Sequence, residues 1–456
     1  GKSEIKSLFR SIPVLLSIVL ALVTMIAAFS GNFDPANSRY MPVLGLALPA
    51  LLLCNLLVAI CWAFARRRWA FIPLAALVFN YGYILAIFQF SFTKKIPEGH
   101  YSSNYADGYL KIATYNVGNF GGEITGYSCK EIARYMKEQE VDVLCFQECG
   151  DNKYFPMDSI RNVFSHWRYA LIPTEDSIRG VLPIAVFSRY PLVNPQFISY
   201  QQSANCSMQC DIVLGRDTVR LLNNHLQTTS VSQNRRKWER GLANSNDTRR
   251  EAEVVQGAIT SLHDNFVKRA EQTDSIRQLV VASPYPVLAC GDFNSLPSSY
   301  TYAELSDVLK DGFRTSGRGY MYTYRYFKRL LRIDYIFHSP GIQGYRYYSP
   351  DLDLCSDHNP VLMEMKKKND RNRNTNLALT HVEFVNVSGQ IIASYNTHNM
   401  ENIDNVFILP VQNPAHSFYL VTHLQPQDGC ITYKAVLPLS LIHISEPTRP
   451  RLISYA

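Results

Sequence analysis

The sequence predicts an α/β domain preceded by three transmembrane helices. Between about residues 110 and 365, short apolar segments alternate with amphipathic ones, a pattern typical of the strands and helices of an α/β sandwich. Three uncharged apolar stretches come before it, at residues 12–29, 41–65 and 69–90, and each is long enough to cross a bilayer as a helix. The 456-residue chain therefore contains more than one structural unit.

The orientation in the membrane follows from the basic residues, which mark the cytoplasmic side of a membrane protein. Lys2, Lys6 and Arg10 precede the first stretch, which could instead be a cleavable signal peptide, but two further stretches follow directly and favour membrane helices. This basic cluster and the triple arginine at residues 66–68 place the N-terminus and the second turn in the cytoplasm. Three crossings then put the chain after residue 90 outside the cytoplasm, in the periplasm or the extracellular space.

Changes in composition along the chain predict its division into segments. The predicted order is membrane helices (1–92), a polar linker (93–109), the α/β domain (110–365), a charged tether (366–379), a small β-rich segment of unassigned role (380–438) and a final segment (439–456). The final segment resembles the translation of a sequencing-library adapter, so we expect it not to belong to the natural protein. Within the α/β domain, Ser128 and Glu131 predict a capping box at a helix start, and residues 248–279 predict a long charged helix.

Net charge and cysteine content exclude few classes of function. The net charge of +7 indicates an anionic partner but does not distinguish nucleic acid from anionic lipid. Ten cysteines in a chain of this length do not predict a disulfide framework. Cys206 and Cys210 form a close pair, but a zinc site there is improbable.

Polar residues recur where the predicted strands of the α/β domain end. Six such clusters follow in order: Asn116, Gln147–Glu148, Asn223–His225, Gly291–Asn294, Asp334 in the middle of a strand at 332–337, and Ser356–Asn359. Taken singly, each has an ordinary explanation as a turn, a helix cap or a structural histidine. Six in one domain favour a shared site, because the strands of a sandwich deliver side chains to one rim.

These clusters lie in strings that resemble the successive motifs of the endonuclease/exonuclease/phosphatase superfamily. The strings are TYNVGNF, LCFQECG, NNHLQ, GDFNSLPSS, RIDYIFHSP and SDHNPV, between about residues 110 and 365. Among these strings, GDFN combined with a downstream SDH is strongly specific for the superfamily. The superfamily includes pancreatic-type deoxyribonucleases, abasic-site endonucleases, neutral sphingomyelinases and inositol-polyphosphate 5-phosphatases. The resemblance implies a two-layer β-sandwich flanked by helices, a four-layer α/β/β/α arrangement.

The resemblance also implies a magnesium site. A phosphoester is anionic and gains charge in its transition state, and a hard cation on carboxylate oxygens compensates that charge. By resemblance, Glu148 is the principal Mg²⁺ ligand, with Asn116 and Asp357 close to the ion, and Mn²⁺ is a possible substitute.

The remaining motif residues are expected to act on the substrate. His358 is expected to be a general base or a hydrogen-bond donor to the phosphate, oriented by Asp334. Asp292 is expected to position or deprotonate the attacking water. Asn294 and His225 are expected to donate hydrogen bonds to a non-bridging phosphate oxygen, an electrostatic role.

A basic and aromatic stretch at residues 314–332 supplies candidate substrate contacts, of which Tyr324 and Arg325 are the foremost. It suits a polyanion with stackable bases, an anionic membrane surface, or simply a solvated loop. A second basic cluster lies at residues 235–240. The expected substrate is a nucleic acid or a phospholipid head group, and no protein partner is predicted.

Together these expectations describe a membrane-anchored, Mg²⁺-dependent phosphoester hydrolase, nuclease-like or alternatively a lipid phosphodiesterase or phosphatase, whose catalytic domain lies outside the cytoplasm. The alternative from another class is a membrane-tethered binding or scaffold protein that keeps the fold without turnover.

Overall fold

The computed structural model describes residues 2–65, 68–90, 109–173, 180–215, 217–229 and 248–367, together with seven short strands between residues 378 and 445. The chain divides into two compact units, Gly1–Lys368 and Asn369–Ala456.

The N-terminal part of the first unit is helical and apolar. Helix α1 covers Lys2–Ala27 and α2 covers Met41–Phe64. Two segments, Ser11–Asn32 and Met41–Phe64, are long and apolar enough to cross a membrane. Exposed leucines such as Leu15 and Leu57 cover their outer surfaces, as lipid contact requires.

The third predicted span does not form the continuous helix that the sequence predicts. It contains two shorter helices, α3 (Phe71–Phe79) and α4 (Tyr81–Ile87), bent by 64° relative to each other. Asn80 lies at the break, where its side-chain amide donates to the carbonyls of Ala76 and Thr24. This amide satisfies a carbonyl at the end of α3, so the helix can end inside an apolar environment.

Two six-stranded sheets form the α/β part. The first has the spatial order β10 (Lys310–Asp311), β12 (Asp334–His338), β9 (Val287–Asp292), β8 (Asp217–His225), β7 (Cys206–Leu214) and β6 (Leu192–Ser199). The second has the order β13 (Ile342–Tyr348), β14 (Val361–Lys367), β2 (Tyr109–Asn116), β3 (Val143–Gln147), β5 (Ile184–Ser188) and β4 (Tyr169–Leu171). Two pairs are parallel, β2 with β3 and β8 with β9.

The sheets pack face to face and helices cover both outer surfaces. Buried aliphatic, methionine and cysteine side chains from both sheets, including Ile112, Cys145, Cys210 and Ile336, fill the space between them. Helices α5 (Tyr127–Glu138) and α6 (Met157–Val163) cover the second sheet, and α7 (Thr248–Val281) and α8 (Tyr300–Val308) cover the first. A short helix, α9 (Gly312–Ser316), follows β10. The prediction of an α/β protein with two sheets flanked by helices is confirmed.

Two local predictions need correction. The helix near Ser128 begins at Tyr127 after a left-handed Gly126, and Glu131 does not cap it but pairs with Arg134. Glu123 instead accepts hydrogen bonds from the Ser128 backbone and hydroxyl, so the capping carboxylate comes from before the helix. Strand β12 begins at Asp334, which is therefore its first residue and not a mid-strand one. The long charged helix is present as α7.

The membrane-type helices are joined directly to the α/β part. The Ser30 hydroxyl, just after α1, donates to the Ser298 carbonyl at 2.6 Å, and the Ser298 hydroxyl donates to the Gly45 carbonyl in α2 at 2.7 Å. A Cβ at Gly45 would collide with the Ser30 hydroxyl, so this close approach requires glycine. After α4, strand β1 (Phe88–Gln89) pairs with β11 (Gly319–Tyr320).

The second unit is built from short antiparallel strands. One sheet contains β16 (Ile391–Asn396), β15 (Ala378–Val385), β19 (Phe418–Gln425) and β20 (Ile431–Leu437) in that order. The other contains β17 (Glu401–Ile403), β18 (Val406–Ile408) and β21 (Ile444–Ser445). Only β21 of the adapter-like segment at 439–456 is described, and most of the predicted linkers at 93–109 and 366–379 lies outside the described residues.

Candidate active site

Strand register brings the predicted site residues to one rim. Asn116 ends β2 beside Gln147 at the end of the parallel strand β3. His225 ends β8 beside Asp292 at the end of the parallel strand β9, and Asp334 opens β12 directly opposite Asp292. The carboxyl ends of parallel strands meet at the same edge, so both sheets contribute to one site.

Glu148 and Asp292 face the same small space. The Asn116 amide donates to Glu148 Oε1 at 3.0 Å and to Asp292 Oδ2 at 3.1 Å. His225 Nε2 lies 3.6 Å from each of these two oxygens. Glu148 adopts a left-handed backbone conformation with φ of 50°, which is costly for this residue type and turns its side chain towards Asp292 and away from the strand direction.

His358 and Asp334 form a buried pair. His358 Nδ1 lies 3.0 Å from Asp334 Oδ2, and Nε2 lies 3.7 Å from Asp292 Oδ2. The Tyr324 ring packs edge-on against the imidazole with centroids 5.1 Å apart. The Ser356 hydroxyl accepts from the His358 backbone N–H and donates to the Asn116 carbonyl, which ties the histidine loop to the end of β2.

The two histidines have opposite protonation tendencies. Burial lowers the pKa of His358, but the charges of Asp334 and Asp292 outweigh it and raise that pKa from 6.5 to about 10. Burial lowers the pKa of His225 to about 4, with only partial opposition from Asp292. Burial also raises the pKa of Asp292. At neutral pH the site therefore contains one imidazolium and one neutral imidazole.

Three predicted residues are placed differently from their expected roles. Both hydrogens of the Asn294 amide are engaged, with the Leu226 carbonyl at 3.0 Å and Asp292 Oδ2 at 3.2 Å, so Asn294 holds Asp292 in place. The side-chain oxygen of Asn116, Oδ1, accepts from the Gly118 backbone N–H, so the side-chain N–H₂, and not Oδ1, faces the carboxylates. Arg325 is paired with Asp351 and Asp353 and does not line the cleft at the site.

Two further predicted residues, Asp357 and Tyr324, lie at the cleft. Asp357 is partly exposed, with Oδ1 3.9 Å from His358 Nε2, and Tyr324 lines the cleft. The basic cluster at residues 235–240 lies outside the described residues.

The sequence indicated no role for several residues that support the site. Gln147 and Asn223 are joined by a 2.6 Å hydrogen bond that links the two sheets behind the site. Arg269 is buried on α7 and donates to the Gln227 carbonyl and the Ser295 hydroxyl, next to Asn294. An arginine on a charged helix is typical of a solvated surface, and nothing local in the sequence indicates its burial.

The backbone at position 291 explains why the GDFN motif begins with glycine. Its φ is +137°, and a Cβ would collide with the Asn224 carbonyl on the neighbouring strand β8. The position therefore excludes any side chain, and this close approach is what brings Asp292 beside His225.

The chemistry of the donor set suits a divalent cation. Four carboxylates, those of Glu148, Asp292, Asp334 and Asp357, face one imidazolium, so the site carries excess negative charge. Ligand atoms of Asp292, Asp334 and His358 lie within 4.8 Å of one another. Asp334 is already committed to His358 Nδ1, so the oxygens of Glu148 and Asp292 are the better-placed hard ligands.

A cleft of about 400 Å³ opens over these residues. Its polar floor includes Glu148, His225, Asp292, Asp357 and His358. The cleft can accommodate a charged group between the carboxylates of Glu148 and Asp292 and the His358–Asp334 pair.

Comparison with known families identifies the class. A model described as "Endonuclease/Exonuclease/phosphatase family" matches residues 113–358, and one described as "Domain of unknown function (DUF8431)" matches residues 7–87. The chain belongs to the endonuclease/exonuclease/phosphatase family and is a phosphoester hydrolase. Members of this family are metal-dependent. No curated protein matches the chain.

Solved structures similar to this chain include three from different organisms. An endonuclease/exonuclease/phosphatase from Beutenbergia cavernae DSM 12333 shares 14% identity, covers 72% of this chain and 100% of its own, and has a TM-score of 0.41. Truncated Caenorhabditis elegans TDP2 shares 18% identity over 57% of this chain and 98% of its own, with a TM-score of 0.39. The human Nocturnin catalytic domain with bound sulfate shares 15% identity over 57% and 94%, with a TM-score of 0.38.

Proposed function

We propose that this protein is a membrane-anchored, Mg²⁺-dependent phosphodiester hydrolase whose catalytic domain lies outside the cytoplasm. The observation that supports it most is the meeting of Glu148, Asp292 and His358 at one rim of the sandwich. Asp292 Oδ2 is within 3.7 Å of His358 Nε2, and the Asn116 amide bridges Asp292 to Glu148.

Glu148 is the proposed principal metal ligand, with Asp292 facing it and Asp357 nearby. Hard carboxylate oxygens favour Mg²⁺, and Mn²⁺ suits the same donors. The bound cation supplies positive charge to the phosphate and lowers the pKa of a water molecule. Asn116 acts as a ligand only if its amide turns; in the arrangement described, it orients the two carboxylates.

His358 is proposed to donate a hydrogen bond to the phosphate, because its raised pKa keeps it protonated at neutral pH. Asp334 holds the Nδ1 side of the ring, which leaves Nε2 directed towards Asp292 and the cleft. Asp292 is proposed to position the attacking water, and Asn294 to position Asp292. His225, neutral at this pH, is a further donor to a phosphate oxygen.

The proposed topology is supported by the contacts between helices and catalytic domain. Ser30, in the α1–α2 turn, and Gly45, near the start of α2, both bond Ser298, and Ala86 near the end of α4 accepts from Arg332. Helix α2 extends about 36 Å away from that turn. The bent α3–α4 segment joins the far end of α2 to the contact at Ala86, and the proposal takes it as the third crossing. The basic residues then place the catalytic domain opposite the cytoplasm.

The proposed activity is tested with the full-length chain in detergent and bis-p-nitrophenyl phosphate as the probe. We expect p-nitrophenol release that requires Mg²⁺ or Mn²⁺, stops with EDTA and returns when Mg²⁺ is restored. Hydrolysis that persists in EDTA contradicts the metal dependence. Absence of hydrolysis with every divalent cation favours the scaffold alternative.

The topology is tested by fusing alkaline phosphatase, which is active only outside the cytoplasm, at two positions in a bacterial host. We expect activity after residue 90 and none after residue 67. The reverse result would show that the catalytic domain is cytoplasmic.

The raised pKa of His358 gives a pH prediction. Asp334→Asn removes the negative charge that raises this pKa, so His358 loses its proton at lower pH and the alkaline limb of kcat/KM moves towards neutrality. The pH–rate profile with bis-p-nitrophenyl phosphate measures this. Asp353→Asn, on an exposed carboxylate paired with Arg325, is the matched control and should leave the limb in place. An unmoved limb in Asp334→Asn would exclude His358 as the protonated donor.

A further inference from the structure

The wall of the catalytic cleft is apolar, in contrast to its floor. Six of its described lining residues are large and apolar: Leu46, Leu182, Leu296, Phe327, Leu331 and Ile333. The described lining includes no lysine or arginine. A cleft with an acidic, metal-binding floor and a hydrocarbon wall suits a phosphoester that has an apolar group next to it.

One residue of this wall belongs to a candidate membrane helix. Leu46 lies in the second turn of α2 and packs with Leu296, Tyr324 and Ile333 in one cluster. It lies about 8 Å from the start of α2. The helix is about 36 Å long and the hydrocarbon core of a bilayer about 30 Å thick, so the first turns of α2 lie at the membrane boundary.

Hydrogen bonds hold Leu46 at the cleft. Gly45, its neighbour, accepts from the Ser298 hydroxyl, and Ser298 in turn accepts from Ser30. Ser298 follows Leu296 in the same loop after Asp292, so one loop carries a catalytic carboxylate, a wall residue and the contact with the membrane helices. The cleft therefore opens where the catalytic domain meets the bilayer.

Three arginines of the described basic stretch at residues 314–332 are engaged elsewhere. Arg332 is buried against Asp311, Arg325 is paired with Asp351 and Asp353, and Arg329 is paired with Asp351. Nucleic-acid binding depends on neutralising several consecutive phosphates. The described lining of the cleft provides no lysine or arginine for this purpose.

We propose that the substrate is a phosphodiester carried by a membrane amphiphile, and that Leu46 helps to determine this specificity. This inference depends on the proposed function. The phosphate lies over Asp292 and His358, and the adjoining hydrocarbon contacts Leu46 and Leu296. In the reaction, a water oxygen bonds to phosphorus, the ester P–O bond breaks, and the departing alcohol takes one proton while the other is released to solvent.

The test compares two phosphodiesters that differ only in the presence or absence of two acyl chains. The probes are dihexanoylphosphatidylglycerol below its micelle concentration and glycerophosphoglycerol, its deacylated form, with the full-length chain and Mg²⁺. We expect kcat/KM to be at least about tenfold higher for the acylated probe. Leu46→Ala should reduce this ratio severalfold, and Leu46→Met, which keeps the side-chain volume, should restore most of it.

Leu53→Ala provides the matched control, because Leu53 is an exposed leucine of the same helix that does not line the cleft. It should leave both the ratio and bis-p-nitrophenyl phosphate hydrolysis unchanged. Equal kcat/KM for the two probes, preference for a single-stranded oligonucleotide, or an equal effect of Leu46→Ala and Leu53→Ala would overturn the inference while leaving the hydrolase intact. Failure to hydrolyse bis-p-nitrophenyl phosphate at all would overturn both proposals.

Discussion

Glu148→Gln is expected to lower kcat/KM for bis-p-nitrophenyl phosphate by about a thousandfold. The substitution keeps the shape of the side chain but removes the charge that faces Asp292 across the Asn116 amide. Because the cation is proposed to depend mainly on this carboxylate, its affinity should fall together with the rate. Steady-state kinetics over a range of Mg²⁺ concentrations measures both.

The matched control for this prediction is Glu138→Gln, a solvent-exposed carboxylate paired with Arg134 on α5. It should change the rate by less than about twofold, as expected for a surface pair. Glu148 is partly exposed, so its replacement should leave the apparent melting temperature almost unchanged. Retention of more than a tenth of the activity by Glu148→Gln would contradict the assignment.

The largest effect on stability is expected at Arg332. Its side chain is fully buried, forms two hydrogen bonds with Asp311 at 2.7 and 2.6 Å, and donates to the Ala86 carbonyl in α4. Arg332→Met would leave Asp311 as an unpaired buried charge, at a cost of about 3–5 kcal/mol. We expect a fall of about 5–15 °C in the apparent melting temperature of the full-length chain in detergent.

Arg134→Met is the comparison for Arg332→Met, since Arg134 makes two carboxylate contacts on the exposed surface of α5. Surface pairs contribute at most about 1 kcal/mol, so the melting temperature should change little. In the double variant with Asp311→Asn, part of the lost stability should return, because the uncompensated charge is removed. Equal effects of the two arginine variants would show that Arg332 is not a structural ion pair.

The sheets and the site rim were predictable because their signals are local. Through the domain, apolar strand patterns recur next to polar residues such as Asn116, Glu148, Asp292 and His358. Parallel strands leave such residues at one edge of a sheet. The family resemblance could add roles to these positions. It could not show that the Asn294 amide would be occupied by Asp292, because that depends on a left-handed turn with φ of 49°.

The features that the sequence did not reveal depend on distant contacts. Arg332 stood in a basic stretch that suited a ligand, and only the position of Asp311 across the sheet edge makes it structural. The contact of Ser30 with Ser298 joins positions 268 residues apart, so no local pattern predicts that Leu46 reaches the cleft. The bend at Asn80 depends on the Thr24 carbonyl of a neighbouring helix.

Mn²⁺ binding tests the central claim most directly, since electron paramagnetic resonance of the free ion reports binding without any substrate. Titration of the full-length chain should reveal a tight Mn²⁺ site that Mg²⁺ displaces, that is lost in Glu148→Gln and that remains in Glu138→Gln. If the chain binds no Mn²⁺, or if Glu148→Gln binds it as tightly as the unaltered protein, the rim formed by Glu148, Asp292 and His358 is not a metal-dependent catalytic centre.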